Sequence, residues 1–322
     1  MRVIRIHETG GADRLKLEEL PVPVPKAGEV RFRAEACGVN FVDIYRRVGL
    51  YPGPLPATLG LEASGAITAI GPGVAGLRIG QRVATAAAAG AYAEEVIAPA
   101  AQVVSVPAGL DGKTAAAVML QGLTAHYLAC STYPLKSGDT ALVHAAAGGV
   151  GLLLVQIAKL RGAHVIGTAG SDEKAALARS AGADEAIVYT RENFAAAVGR
   201  LTAGRGVDVV YDSVGKDTFE GSLDCLRSRG MLVSFGNASG AVPAFSPLLL
   251  SQKGSLYLTR PNLGHYTRTP DELLGRANEL FRWIEQDRLR IRIGATFPLA
   301  AAADAHRALE GRQTTGKVLL VP

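Results

Sequence analysis

Residues 142–159 read Leu-Val-His-Ala-Ala-Ala-Gly-Gly-Val-Gly-Leu-Leu-Leu-Val-Gln-Ile-Ala-Lys. An apolar run ends in small residues and a glycine cluster, then takes up a helical pattern with Leu153, Leu154 and Ile157 on one face. With strand-like Thr140–Val143 before it, this is the strand–turn–helix unit that seats a pyrophosphate. Gly148, Gly149 and Gly151 have no side chains, so the backbone there can turn sharply and approach a ligand. The helix, expected to begin near Gly149, aims its free N–H groups and positive dipole end at that ligand from beside Ala147 and Val150. The usual fingerprint is G-x-G-x-x-G; here the spacing is Ala145-x-x-Gly148-x-x-Gly151 with Gly149 added. A glycine turn alone would also suit a plain helix cap. The strand before it and the amphipathic helix after it favour nucleotide binding.

Outward from this unit the chain alternates. Strand His164–Gly167 leads to helix Asp172–Ser180, strand Glu185–Tyr189 to helix Arg191–Leu201, and strand Val207–Asp212 to helix Asp217–Leu226; strands Met231–Phe235 and Ser255–Thr259 follow. Such alternation predicts a doubly wound parallel sheet with helices on both faces. Ligands of such sheets bind beyond the carboxyl ends of the strands, which brings in Gly167, Ser213, Phe235, Gly236, Asn237 and Thr259. Residues 1–100 are instead β-rich. Short strands are expected at Val3–Ile6, Glu29–Ala34, Gly65–Ile70 and Arg82–Thr85, with Pro21–Pro25 an extended linker and a helical or turn-like stretch over 40–50. Helix Pro270–Gln286 and the strand-like pieces after it are expected to return to this first domain.

An NAD site places a carboxylate at the tip of its second strand, for the ribose 2′-hydroxyl. Here the tip reads Thr168-Ala169-Gly170-Ser171 and has none; Asp172 is expected to cap the next helix. The missing acid leaves room for a 2′-phosphate, which Lys174 can meet as a point charge. Tyr189, at the end of the third strand, is placed to offer its hydroxyl or ring to the adenosine end. These residues favour NADPH over NADH.

Composition narrows the class. The chain has 322 residues, 48% hydrophobic and 20% charged, enough for two domains. No apolar run is long enough to span a bilayer. The N-terminus reads as a first strand, so a cytoplasmic location is the expectation. Cys37, Cys130 and Cys225 are dispersed, which argues against a disulfide framework or a structural zinc cluster. The net charge of +5 is scattered rather than clustered, which argues against a nucleic-acid partner.

The chain resembles the zinc-independent quinone oxidoreductases, the zeta-crystallin-like branch of the medium-chain dehydrogenase/reductase superfamily. The branch signature runs from Gly138-Asp139 through Leu142 and Ala146-Ala147-Gly148-Gly149-x-Gly151 to Gln156 and Lys159. Further matches are Gly38–Asp43, Gly60–Gly65, Tyr211–Gly215 and Ser234–Gly240; Gln81 departs from the usual Asp of a G-D-R-V turn. The resemblance implies an α/β fold: a GroES-like catalytic domain over 1–123 and 263–322, a Rossmann cofactor domain over 124–262, an active site in the cleft between them, and a homodimer formed through the cofactor domains. It further implies that Asn40, Asp43, Tyr45, Tyr51 and Arg260 line the site. Asn40 and Tyr45 would hydrogen-bond quinone oxygens or the nicotinamide ribose, Tyr51 would stack on a planar ring, and Arg260 would meet an oxyanion or a phosphate. Thr124 would meet the nicotinamide end, and Lys317 would reach a cofactor phosphate from the returning segment. His144 and His126 read as structural.

The zinc alcohol dehydrogenases share the superfamily. This chain has Asn40 where they carry a ligand Cys and Leu61 where they carry a ligand His, and it lacks the four-cysteine lobe. Glu62 alone reads as a hydrogen-bonded scaffold group. The expected activity is therefore metal-free, NADPH-dependent quinone reduction. Two other readings stay open: NADPH-dependent reduction of the C=C bond of enones or alkenals, and non-catalytic NADPH or RNA binding of a crystallin-like kind.

Overall fold

The computed structural model describes all residues, 1–322. In chain order the elements are β1 (Arg2–Ile6), β2 (Lys16–Glu19), β3 (Glu29–Val39), α1 (Phe41–Arg47), β4 (Ala57–Thr58), β5 (Glu62–Ile70), β6 (Arg82–Thr85), β7 (Glu95–Pro99), β8 (Val103–Ser105) and α2 (Gly112–Tyr127). Then come β9 (Thr140–Val143), α3 (Gly149–Leu160), β10 (His164–Ala169), α4 (Asp172–Ser180), β11 (Glu185–Val188), α5 (Phe194–Leu201), β12 (Val207–Asp212), α6 (Phe219–Asp224) and β13 (Leu226–Ser234). The chain finishes with α7 (Leu248–Gln252), β14 (Tyr257–Thr259), α8 (Leu263–Tyr266), α9 (Pro270–Glu285), β15 (Ile293–Pro298), α10 (Ala302–Glu310) and β16 (Lys317–Val321). It divides into two compact units: Met1–Leu123 with Thr267–Asp287 and Ile291–Pro322, and Thr124–Tyr266 with Arg288–Arg290. Residues 263–266, forming α8, group with the second unit.

The first unit holds a seven-stranded sheet ordered β15-β16-β3-β5-β6-β8, with β7 also paired to β3, and a three-stranded sheet ordered β2-β1-β4. Strand β3 outruns the expected Glu29–Ala34 by five residues. Alternation stops because Ala36, Cys37, Gly38 and Val39 are all buried, yet pairing with β5 and β16 continues. Its core gathers Val30, Phe32, Val39, Ile67, Val83, Val96 and Leu320. Gln81 takes over the turn role of an acid: its Oε1 accepts the Arg78 N–H (3.1 Å) and its Nε2 donates to Ser105 Oγ (2.7 Å).

The second unit is a six-stranded sheet ordered β11-β10-β9-β12-β13-β14, with every pairing parallel. This is the doubly wound order, with its switch point between β9 and β12. Leu142, Ile166, Ile187, Val198, Val210, Phe219 and Leu232 form its core. Helix α5 begins at Phe194 rather than Arg191, because Asn193 caps it by accepting the Ala196 N–H (2.9 Å). Strand β13 starts at Leu226, earlier than Met231, since Arg227 and Arg229 are polar yet still belong to the strand.

Candidate active site

In the second unit the expected nucleotide residues follow strand ends. After β9 the backbone enters the left-handed region at Ala145 (φ 50°), and the Gly148 N–H closes the turn on Ala145 O (2.8 Å). The Ala146 N–H ties the loop to β10 through Thr168 O (3.0 Å). Gly148 is the N-cap of α3, whose earliest bond is from Leu152 N–H to Gly148 O (2.9 Å). The N–H groups of Gly149, Val150 and Gly151 therefore precede the helical ladder and point out of it. A Cβ on Gly151 would lie 2.2 Å from Ala145 O, so only glycine lets helix and loop approach this closely. Ala147 is buried beneath the turn.

His144 lies under this loop. Its Nδ1 faces Thr168 Oγ1 and its Nε2 faces Ser222 Oγ, each at 3.0 Å, and its ring meets Phe194 edge-on. Ser222 spends its hydroxyl proton on Asp212 Oδ2 (3.1 Å), so Nε2 carries the imidazole hydrogen and Nδ1 accepts from Thr168. Burial lowers the His144 pKa. Asp212 also accepts from Val214 N (2.8 Å), Gly215 N (3.0 Å) and Thr218 Oγ1, which fixes the loop carrying Ser213.

At the tip of β10 the helix cap is Ser171, whose Oγ accepts the Lys174 N–H (3.3 Å). Asp172, expected as the cap, stands one residue inside the helix and pairs with Arg191 instead. A hydroxyl at Ser171 leaves this corner without a buried carboxylate. Tyr189 is 40% exposed, and its hydroxyl lies over Gly170, where a Cβ would sit 2.8 Å from it. Lys174 is half-buried in the first turn of α4. Gly170, Ser171, Lys174 and Tyr189 thus cluster about one helix N-terminus. Gly167 lies inside β10 rather than at its tip, buried against Ala146. After β13, Arg260 Nη1 donates to Ser234 O (2.9 Å), and Asn237 accepts from Arg260 Nη2 (3.3 Å) while donating to Gly236 O (2.9 Å). Phe235 begins this loop, and Thr259 ends β14 beside Arg260. Arg260, grouped by resemblance with the substrate residues, belongs to this unit. Thr124, within α2, is the unit's first residue and is buried.

The first unit presents a buried polar network. Asn40 caps α1, and its N–H donates to Asp43 Oδ2 (2.9 Å). The Asn40 amide is saturated: Nδ2 donates to Glu62 Oε2 (2.8 Å) and Gly38 O (3.3 Å), while Oδ1 accepts from Lys317 Nζ (2.8 Å) and Gln121 Nε2 (3.4 Å). Glu62 also accepts the Leu120 N–H (2.5 Å) and forms an ion pair with Lys317. Lys317 was expected to reach a cofactor phosphate. It is instead fully buried, because its ammonium neutralises the buried Glu62 carboxylate. Gly38 is the residue that admits this pair, since a Cβ there would lie 2.0 Å from Glu62 Oε2 and 2.7 Å from Lys317 Nζ.

Asp43 is fully buried, so it acts on Asn40 and on α1 rather than touching a ligand. Tyr92 donates its hydroxyl proton to Asp43 Oδ2 (2.9 Å) and accepts from His306 Nε2 (3.1 Å). His306 Nδ1 accepts from Arg47 Nη1 (3.2 Å), which fixes the tautomer, and Arg47 is held by Glu310 (2.6 and 3.0 Å). Burial pushes Asp43 up to about 6, and burial together with the Arg47 charge pushes His306 down to about 3. Tyr45 is buried and meets Tyr51 edge-on (5.2 Å) and Phe41 at 6.0 Å; Tyr51 is 37% exposed. Sequence reasoning missed Arg47, Tyr92, Gln121, His306 and Glu310, whose separations of up to 263 residues leave no local signal. Glu62 is the hydrogen-bonded scaffold group it was read to be. No three His, Cys, Asp or Glu side chains gather in a metal-holding group.

A GroES-like sheet unit and a doubly wound nucleotide unit define the alcohol-dehydrogenase class. Family descriptions match accordingly: "Alcohol dehydrogenase GroES-like domain" over residues 26–108 and "Zinc-binding dehydrogenase" over 149–271. A quinone oxidoreductase of Pseudomonas aeruginosa is 51% identical, with 97% of each chain covered. A 2-haloacrylate reductase of a Burkholderia species is 44% identical over 98% of each. The Escherichia coli quinone oxidoreductase complexed with NADPH superposes with a TM-score of 0.98 at 44% identity, with both chains fully covered. The chain belongs to the quinone oxidoreductase family of the medium-chain dehydrogenases/reductases.

Proposed function

We propose that this chain reduces quinones with NADPH and without a metal. The observation that carries the reading is the corner at the tip of β10: a cap hydroxyl in place of a buried acid, with Lys174 in the first helical turn and Tyr189 above Gly170. The NADPH complex of the Escherichia coli relative supports it. Bound NADPH would supply a hydride. The N–H groups at the start of α3 would hold the pyrophosphate, Lys174, Ser171 and Tyr189 the 2′-phosphate end, and the Ser213, Phe235–Asn237 and Thr259–Arg260 loops the remainder. Asp212 and His144 keep those loops rigid, so little ordering is left to occur on binding.

The donor set does not suit zinc. Leu61 has no ligand atom, and the Glu62 carboxylate is already occupied by Lys317, Asn40 and the Leu120 N–H. A quinone is already electrophilic, and its reduction gives an aromatic hydroquinone anion, so the protein has to position the ring, exclude water and hydrogen-bond the oxygens. Tyr51, partly exposed beside Tyr45, is suited to stack on a planar ring. The similarity to a 2-haloacrylate reductase favours activated C=C reduction as a second reading. Steady-state rates with NADPH and NADH on 1,4-benzoquinone, 9,10-phenanthrenequinone and a 2-haloacrylate separate the readings. Absence of quinone turnover would refute the first, and a higher specificity constant on the haloacrylate would replace it. No helix is long and apolar enough to cross a membrane. A cytoplasmic homodimer is the state we infer; edge strand β14, with exposed Tyr257 and nearby Leu248, is the surface that fits self-association.

A further inference from the structure

Helix α2 is buried at every residue from Ala115 to Tyr127, and burial continues to Ala129, except at Leu120 and Gln121. A polar side chain in such a run is normally spent on internal partners. Gln121 is not. Its one hydrogen bond runs from Nε2 to Asn40 Oδ1 at 3.4 Å, at the long end for amide partners. The fully buried side-chain polar atoms that lack a partner are Arg5 Nε, Asp43 Oδ1 and Ser64 Oγ. Gln121 is half-buried, its Oε1 is not among them, and its Nε2 keeps a second N–H that no protein group accepts. Behind it, the Asn40 amide has all its donors and acceptors engaged, two of them by the buried Glu62–Lys317 pair.

We propose that Gln121 is the hydrogen-bond donor this unit offers to the carbonyl oxygen of the substrate, with Asn40, Glu62 and Lys317 as the positioning residues that hold its amide. The proposal rests on the quinone reading and assigns Gln121 the contact first expected of Asn40. Asn40 Oδ1, itself anchored by an ammonium, takes one N–H of Nε2 and leaves the other for the substrate. A neutral amide donor gains strength as the carbonyl oxygen becomes an oxyanion, and a fixed donor needs no reorganisation at that moment. The amide transfers no proton: hydride addition to the quinone leaves a hydroquinone monoanion, which takes its proton from water.

The test uses the full-length enzyme and its Gln121→Leu and Gln121→Glu variants, with kinetics against quinone at saturating NADPH and against NADPH at saturating quinone. Gln121→Leu is expected to lower kcat/KM for 1,4-benzoquinone about tenfold, as loss of one hydrogen bond to a developing charge implies, with KM for NADPH and Tm unchanged. Gln121→Glu, a carboxylate facing an oxyanion, is expected to lower it further. Unchanged quinone kinetics in both variants, with the wild type active, would overturn the Gln121 assignment alone. A rise confined to KM for NADPH would do the same. A wild type inactive on quinones would remove both this assignment and the reading beneath it.

Discussion

The two units assemble their candidate functional residues in different ways. In the second unit the candidate ligand groups are largely backbone: the α3 N–H groups, the Ala145–Gly148 turn and the loop held by Asp212. In the first unit they are side chains set by a buried polar network that reaches from Glu310 through Arg47, His306, Tyr92 and Asp43 to Asn40, Lys317 and Glu62. A backbone site is specified by a few consecutive residues. A network site depends on every member, because a half-satisfied buried cluster is worse than an apolar one. The first unit should therefore be the more fragile to single polar substitutions.

The sharpest way to break that contrast is Lys317→Met. It leaves the Glu62 carboxylate buried without its cation, and loss of one partner of such a pair costs roughly 3–5 kcal/mol. The expected outcome is a large fall in Tm, or failure to accumulate folded protein. Lys317→Met combined with Glu62→Gln should regain a good part of the loss, since the stranded charge is gone, and the two changes should be strongly non-additive by thermal melts. A single variant that melts within a degree or two of the wild type would mean that the network does not hold this unit together.

The same contrast explains what was legible in the sequence. The order of the doubly wound sheet and the Gly148–Gly151 turn follow from local periodicity and glycine placement, and most strand bounds in that unit lie within a residue or two. The Asp172 cap failed by one position, because Ser171 and Asp172 are both good caps and only the observed Lys174 N–H bond decides between them. In the first unit β3 ran past its alternating stretch once both faces became buried. Lys317 could not be placed at all. Read along the chain it is one more cation near the C-terminus. Its burial follows from pairing of β16 with β3, which sets Val318 opposite Val39 and brings residue 317 beside residues 38 and 40.

On the second unit, Lys174→Ala sharpens the comparison from the other side. A charge-assisted hydrogen bond to a 2′-phosphate is worth roughly 1.5–3 kcal/mol, so KM for NADPH should rise about tenfold or more. KM for NADH should barely move, since that cofactor has no 2′-phosphate for the ammonium to meet. Equal effects on the two cofactors would contradict the phosphate role.

The smallest effect is read in pH. His306 is held down to about 3 from an ordinary 6.5, so the stability it contributes is present above pH 6.5 and drains away as pH falls toward 3. Asp43 is held up to about 6 from 3.8, so its contribution is full below 3.8 and is lost as pH rises through 6. Between pH 6 and 4 the two run in opposite directions and offset one another, so this region of the first unit is nearly indifferent to pH. His306→Gln removes one side of that balance. The variant should be less stable than the wild type at pH 7.5, for the lost bonds to Arg47 and Tyr92, and the gap in Tm should narrow steadily as pH is lowered to 4.5. A gap that stays constant over that range would mean His306 is not carried neutral in the folded protein, and the tautomer that ties Arg47 to Tyr92 would have to be abandoned.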